Sequence, residues 1–270
     1  MRFLQSKLLL IGSGKWPEKI TSIVQSQNLV SEITNIAARE FLKLGTKQVE
    51  MLLQGNTLWI ATTPENQLMI LEQIKGLSNK IIIEKPIALN LVQLNCLFTH
   101  NRISNNKLYV SEPWRHSEIW EKAKNKLTSV SGLKKLQINR GGPIERDYMD
   151  PPWDWMQHDL GLLSELLSIN DRSLEFQCKF LNDRKNLKII IESRDEYQID
   201  INLGWFQERT EQWILNDKLF IDFADRDSFN DQPICNMFKF VCNDEFTSDL
   251  ESQVWLTSAI ITKLEEIKLA

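Results

Sequence analysis

The chain has 270 residues, 42% hydrophobic and 25% charged, with a formal net charge of −4. That length allows one large domain or two modest ones of ordinary globular composition. The slight acidity offers no basic face to nucleic acid, and the longest apolar runs are too short to span a bilayer, so neither partner is expected.

The first strand candidate is Lys7 to Ile11, read as a strand and not as a signal peptide because no longer apolar region or small-residue cleavage site follows. Pro17 to Gln27 has helical spacing through Ile20, Ile23 and Val24. Glu32 to Ala37 is a second strand candidate, Val49 to Gln54 is ambiguous, and Leu58 to Ala61 is a third strand. A helix over Glu65 to Lys75, a strand at Ile81 to Ile83, a helix through Leu91, Leu94 and Leu97, and a strand at Leu108 to Val110 complete the first half. Strands alternating with helices at this spacing predict βαβ units and a parallel sheet. Their near-continuous apolar character predicts a sheet covered on both faces.

The second half has a different grammar. Helices at Ile119 to Lys126 and Trp153 to Leu167 flank a strand at Leu133 to Asn139. Five strand candidates then follow without helices between them: Leu174 to Phe180, Leu187 to Ser193, Tyr197 to Leu203, Gln212 to Leu215 and Leu219 to Phe223. Asn216-Asp217 reads as a hairpin turn. Short connections predict a mostly antiparallel sheet, and a helix from Asp249 to Leu269 closes the chain. The division is therefore 1–118, an α/β domain, and 119–270, an α+β domain, with the last helix able to return onto the first.

Four places carry chemistry. Lys85, in Glu84-Lys85-Pro86, follows the apolar run Ile81-Ile82-Ile83, at the carboxyl end of a parallel strand where open α/β sheets bind ligands. Gly12-Ser13-Gly14-Lys15-Trp16-Pro17 follows the first strand and opens a helix, the context a dinucleotide loop requires. Its first glycine allows a tight turn and its second lets the backbone approach a pyrophosphate at the helix N-terminus. Pro17 replaces the third glycine, and an ordinary strand–turn–helix corner would read the same way. Arg39 stands where an acid would hold the ribose of NAD, which leans the cofactor from NAD toward NADP, unless Arg39 simply begins a helix. Asp154 and His158, four apart, share a helical face, and a carboxylate beside an imidazole makes it a better base. Asp159 is an alternative partner, and a capping carboxylate beside a surface histidine is the plain structural reading. Cys96, Cys178, Cys235 and Cys242 form no CxxC pair and have no histidine at ligand spacing. No metal site is expected, and the scattered thiols point to a reducing cytoplasm.

Taken together, GSGKWP, LWIATTPENQ, IIIEKP, YVSEPWRHSEIW and WDWMQHD resemble the Gfo/Idh/MocA family of nicotinamide-dependent oxidoreductases over nearly the whole chain. The resemblance implies an N-terminal Rossmann parallel sheet for NAD or NADP and a C-terminal α+β domain with an open sheet for substrate and often dimerisation. It implies catalytic roles for Lys85, Asp154 and His158. It places Gly12, Gly14, Lys15, Trp16, Arg39, Thr62, Thr63, Pro64, Glu84 and Lys85 around the cofactor. Trp114, Arg115, Arg140, Trp155 and Asp159, with Trp153 and Arg146, are candidates to line a sugar-like substrate's site, since indole faces and guanidinium forks suit sugars and phosphates; the tryptophans read equally well as core. The departures are Pro17, Gln67 where the family often has histidine, and a chain shorter than most members.

The expected function is hydride transfer to or from a hydroxyl or carbonyl carbon of a sugar, polyol or sugar nucleotide. His158 would be the base, oriented by Asp154, and Lys85 would donate to the reacting oxygen. Two readings stay open: a hydrolase or lyase of the same fold that recycles its nicotinamide, and a non-catalytic regulator or scaffold. A homo-oligomer, dimer or tetramer, in the cytoplasm is the expected setting.

Overall fold

A computed structural model of the chain describes residues 6–77, 80–103, 107–143, 153, 155–167, 174–181, 186–193, 196–223, 231–243 and 250–269. It divides into two units: residues 1–113 with 231–251, and residues 114–230 with 252–270. The linear division at 118 therefore misses a return of the chain into the first unit.

The first unit is built on a five-stranded sheet of order β2-β1-β3-β4-β5, from β1 (Ser6–Ile11), β2 (Val30–Ile36), β3 (Asn56–Ile60), β4 (Lys80–Ile83) and β5 (Lys107–Val110). Every pairing is parallel. Leu8–Ile11, Leu58–Ile60 and Ile81–Ile83 are completely buried, as a sheet covered on both faces requires. The helices are α1 (Lys15–Ser26), α2 (Ala38–Phe41), α3 (Thr46–Leu53), α4 (Pro64–Gln73) and α5 (Leu91–Ile103). The ambiguous segment at Val49 is helix α3, whose apolar positions Val49 and Leu53 lie one turn apart and are buried. Helix α1 buries Pro17, Ile20, Ile23 and Val24, a single stripe at helical spacing.

The second unit contains a 3₁₀ turn, Pro113–His116, at its entry, then α6 (Glu118–Ser129), β6 (Lys134–Gly142), α7 (Met156–Leu163) and strands β7 (Glu175–Leu181), β8 (Asn186–Glu192), β9 (Tyr197–Trp205), β10 (Thr210–Leu215) and β11 (Lys218–Asp222). The six strands run in the order β11-β10-β6-β9-β8-β7. All neighbours are antiparallel except β6 and β9, which are parallel. Asn216 and Asp217 have φ of 48° and 62°, the two left-handed residues of a primed hairpin turn. One face is core: Leu136, Ile138, Leu187, Ile189, Ile191, Ile199, Ile201, Leu203 and Trp213 alternate inward. Trp120 of α6 meets Trp213 edge to face at 5.4 Å.

Two further helices follow, α8 (Gln232–Cys242) and α9 (Leu250–Leu269). Sequence reading anticipates α9 as the element returning to the first domain, but α8 is the one that does. It buries Ile234, Met237, Phe238 and Val241, and Phe238 stacks on Trp59 of β3 at 6.1 Å. Its signal was present and unread: Pro233 in the first turn and apolar residues at i, i+3, i+4 and i+7. Most of α9 belongs to the second unit, where Trp255 packs on Phe176 of β7. Among the described residues, no helix is long and apolar enough to cross a membrane.

Candidate functional site

Because all five strands of the first sheet are parallel, the segments that leave β1, β3, β4 and β5 share one edge. The hydrogen-bond ladder runs one residue past the strands there: Ala61 N–H donates to Ile11 O at 2.8 Å, Glu84 N–H to Ile60 O at 3.0 Å and Ser111 N–H to Ile83 O at 2.8 Å. The glycine loop, Thr62-Thr63-Pro64, Glu84-Lys85 and Glu112 are thus held at the same level by backbone geometry.

At Gly12 a Cβ would lie 2.2 Å from the Ala61 carbonyl oxygen and 3.0 Å from Pro17 Cγ. Glycine is required there by the close approach of β3. Pro17, in place of a third glycine, is buried in the first turn of α1 and packs against this corner, so helix and sheet still meet. Gly14 is the N-cap of α1, with φ 99° and no side-chain cap on the helix amides. A Cβ at Gly14 would have no atom within 4 Å. The start of a twelve-residue helix without a side-chain cap is where backbone amides can take a phosphate. Lys15 and Trp16 are exposed at this mouth, and Lys19 Nζ lies 5.9 Å from the Trp16 ring. Arg39 falls in α2, highly exposed, its Nε 3.2 Å from Glu40.

Thr63 occupies the N-cap position of α4 without a side-chain capping bond, and Thr62 Oγ1 accepts from Asn66 at 3.3 Å. Gln67 is buried and its amide donates to Thr62 O at 2.9 Å and to Glu84 O at 2.8 Å, tying the loop after β3 to the one after β4. Glu84, expected at the cofactor, turns into the protein instead: it is buried, and Oε1 accepts the Trp59 indole N–H at 2.9 Å. Lys85, the next residue, has its Nζ 3.3 Å from the carboxylate of Glu112. The side chains are 9% and 0% exposed. Glu112 escaped the sequence reading, although Glu112-Pro113 follows β5 just as Glu84-Lys85-Pro86 follows β4. The register Ile83↔Val110 puts Lys85 and Glu112 two residues past the same rung.

In the second unit His158 lies on α7, partly exposed. Asp154 and Arg146 lie outside the described residues. Asp159 and Arg140, expected to touch substrate, are core residues. Arg140 projects from β6 in line with Leu136 and Ile138, 1% exposed. Its Nε and Nη2 donate to the two oxygens of Asp159 at 2.8 and 2.7 Å, and its Nη1 donates to Glu211 at 2.8 Å. Trp213 Nε1 also donates to Asp159, at 2.8 Å. A fork wholly engaged by buried carboxylates is a structural node, which the inward alternation of β6 could have revealed. Arg115 is likewise held, by Glu165 at 2.7 Å, and Trp120 Nε1 donates to the other oxygen at 2.7 Å. Trp114 packs edge to face on Phe223 at 4.8 Å. Trp153 is buried; Trp155 is partly exposed, with its ring beside Gly142. The neighbouring His116 is pushed down to about 4, by burial first and then by the Arg115 guanidinium. Among the described residues there is no cluster able to hold a metal ion.

Five parallel strands with a glycine corner in one unit, and a mostly antiparallel sheet in the other, make a two-unit architecture of an α/β and an α+β part. The structural neighbours are Gfo/Idh/MocA-type dehydrogenases, and the chain shares their fold. A myo-inositol dehydrogenase of Corynebacterium glutamicum superposes with a TM-score of 0.71 at 10% identity, over 97% of this chain and 96% of that one. The UDP-N-acetylglucosamine 3-dehydrogenase GnnA of Acidithiobacillus ferrooxidans gives 0.67 at 14% identity, over 97% of each. The WlbA dehydrogenase of Thermus thermophilus, solved with NAD and UDP-GlcNAcA, gives 0.66 at 12% identity, over 95% and 94%. No family model matches the chain, and no curated protein matches it in sequence.

Proposed function

We propose that the protein is an NAD(P)-dependent oxidoreductase acting on a CH–OH group, or the corresponding carbonyl, of a sugar, polyol or sugar nucleotide. The observation that carries this is the pairing, on one edge of the parallel sheet, of a glycine corner that opens a helix with a lysine held by a buried carboxylate. The neighbours support it, each being a dehydrogenase of a polyol or sugar nucleotide.

Gly12, Gly14, Lys15 and Trp16 would hold the dinucleotide phosphates, with Thr62, Thr63 and Pro64 along the loop after β3. Bound nicotinamide supplies the hydride acceptor or donor. Lys85 donates a hydrogen bond to the reacting oxygen and stabilises its developing negative charge. His158 takes the hydroxyl proton in the oxidising direction and returns it in the reducing one, with Asp154 orienting its ring. Arg39 favours NADP: its contact with Glu40 is an exposed one, worth little, so a 2′-phosphate can compete for the guanidinium. A cytoplasmic homo-oligomer completes the proposal.

The test is a binding titration with NADP and NAD, then a panel of sugars, polyols and sugar nucleotides with the tighter cofactor. Lys85→Ala and His158→Ala are each expected to lower kcat about 100-fold or more while cofactor affinity stays near wild type. Full turnover in both variants would reject the mechanism.

A further inference from the structure

Glu112 is a carboxylate with no solvent exposure at the end of β5, and the Lys85 ammonium is 3.3 Å away with 9% of its side chain exposed. A charge buried to this degree persists only when paired and hydrogen-bonded. The other acid beside Lys85 in sequence, Glu84, is turned away to Trp59. Polypeptide ladders fix both partners: Glu84 N–H on Ile60 O and Ser111 N–H on Ile83 O hold the residues immediately preceding each. The pair is therefore a built feature of the sheet edge.

We propose that Glu112 is the positioning residue of Lys85, and that it keeps Lys85 a fixed, protonated donor so that the lysine serves neither as a base nor as an amine nucleophile. The role rests on the function proposed above. Lysine deep in a protein otherwise drifts toward the neutral amine, because burial penalises its charged form. A carboxylate beneath it reverses that preference and directs the ammonium along one line. In oxidation of an alcohol the Lys85 ammonium then carries the same protons before and after the reaction. The hydroxyl proton would go to His158, and a bound nicotinamide would supply the acceptor for the hydride from the substrate carbon. In this division of labour Lys85 supplies charge and His158 moves the proton.

Amine labelling of the whole protein tests the pairing without any substrate. Wild type, Glu112→Gln and Glu112→Asp are treated with acetic anhydride at fixed pH, and acetylation of Lys85 is followed by peptide mass spectrometry. Circular dichroism confirms that each is folded. In Glu112→Gln the ammonium loses its counter-charge and its anchor, so Lys85 should acetylate about tenfold faster or more, with Glu112→Asp between it and wild type. An unrelated exposed lysine, Lys47, should react equally in all three. Equal Lys85 rates in folded wild type and Glu112→Gln would overturn the proposal. Turnover separates this from the functional reading: a labelling difference together with an unimpaired Lys85→Ala enzyme would uphold the pairing and reject the catalysis.

Discussion

Replacement of Arg140 by methionine removes the guanidinium lying between Asp159 and Glu211, which are 0% and 4% exposed, and leaves Glu211 only its second ion pair, with the half-exposed Arg209. Three hydrogen bonds of 2.7–2.8 Å vanish, and the fully buried Asp159 loses the guanidinium that balances it while Glu211 keeps Arg209. Breaking a buried ion pair from one side costs about 3–5 kcal/mol, because the remaining charge stays desolvated. That is a large fraction of the roughly 5–15 kcal/mol that a folded domain has in hand. Converted at roughly 2–4 °C per kcal/mol, it lowers the melting temperature by about 6–20 °C. Trp213, which donates to Asp159, and Trp120 beside it are two of the nine tryptophans whose fluorescence follows urea unfolding. The midpoint should fall while the slope holds. A triple variant, Arg140→Met with Asp159→Leu and Glu211→Leu, should recover most of the loss, since apolar packing can replace a whole buried ionic cluster. Stability of Arg140→Met within about 1 kcal/mol of wild type, or a triple variant no better than the single, would refute the reasoning.

Gly12→Ala forces a Cβ to 2.2 Å from the Ala61 carbonyl oxygen, whereas Gly14→Ala meets open space and suffers only from φ 99°. Thermal denaturation should therefore show a loss of about 3 kcal/mol or more for Gly12→Ala and about 1–2 kcal/mol for Gly14→Ala; equal losses would contradict the geometry. His116, held down to about 4 against an ordinary 6.5, binds its proton less readily folded than unfolded. Its stabilising effect is complete above pH 6.5 and is lost as the pH falls from there through 4, by up to roughly 3 kcal/mol. Urea midpoints for His116→Gln should decline less over that interval than wild type; parallel curves would reject this. Asp217→Gly, at φ 62° in the β10–β11 turn, should stabilise by up to about 1 kcal/mol in the same assay, and a loss would argue against a primed turn.

Local pattern determined much of this protein. The runs at Leu8, Leu58, Ile81 and Leu108 became buried parallel strands because sheets covered on both faces demand continuous apolar sequence. The glycine corner and Lys85 fell at one edge for the same reason, since a parallel sheet puts every strand's carboxyl end on one side. Asn216-Asp217 turned as its chemistry requires. Long-range pairing decided what remained. Residue type alone made Arg140 and Asp159 look like ligand contacts, and Glu84 like a cofactor neighbour. Only the register of β6 against β10, the Trp59 indole on Glu84 and the Trp213 indole on Asp159 show that those charges are satisfied inside the protein. Glu112 met Lys85 through the pairing of β4 with β5, 27 residues apart in the chain. A one-dimensional pattern specifies which face a residue takes, but which opposite charge waits on that face is settled by strands that meet only when the chain has folded.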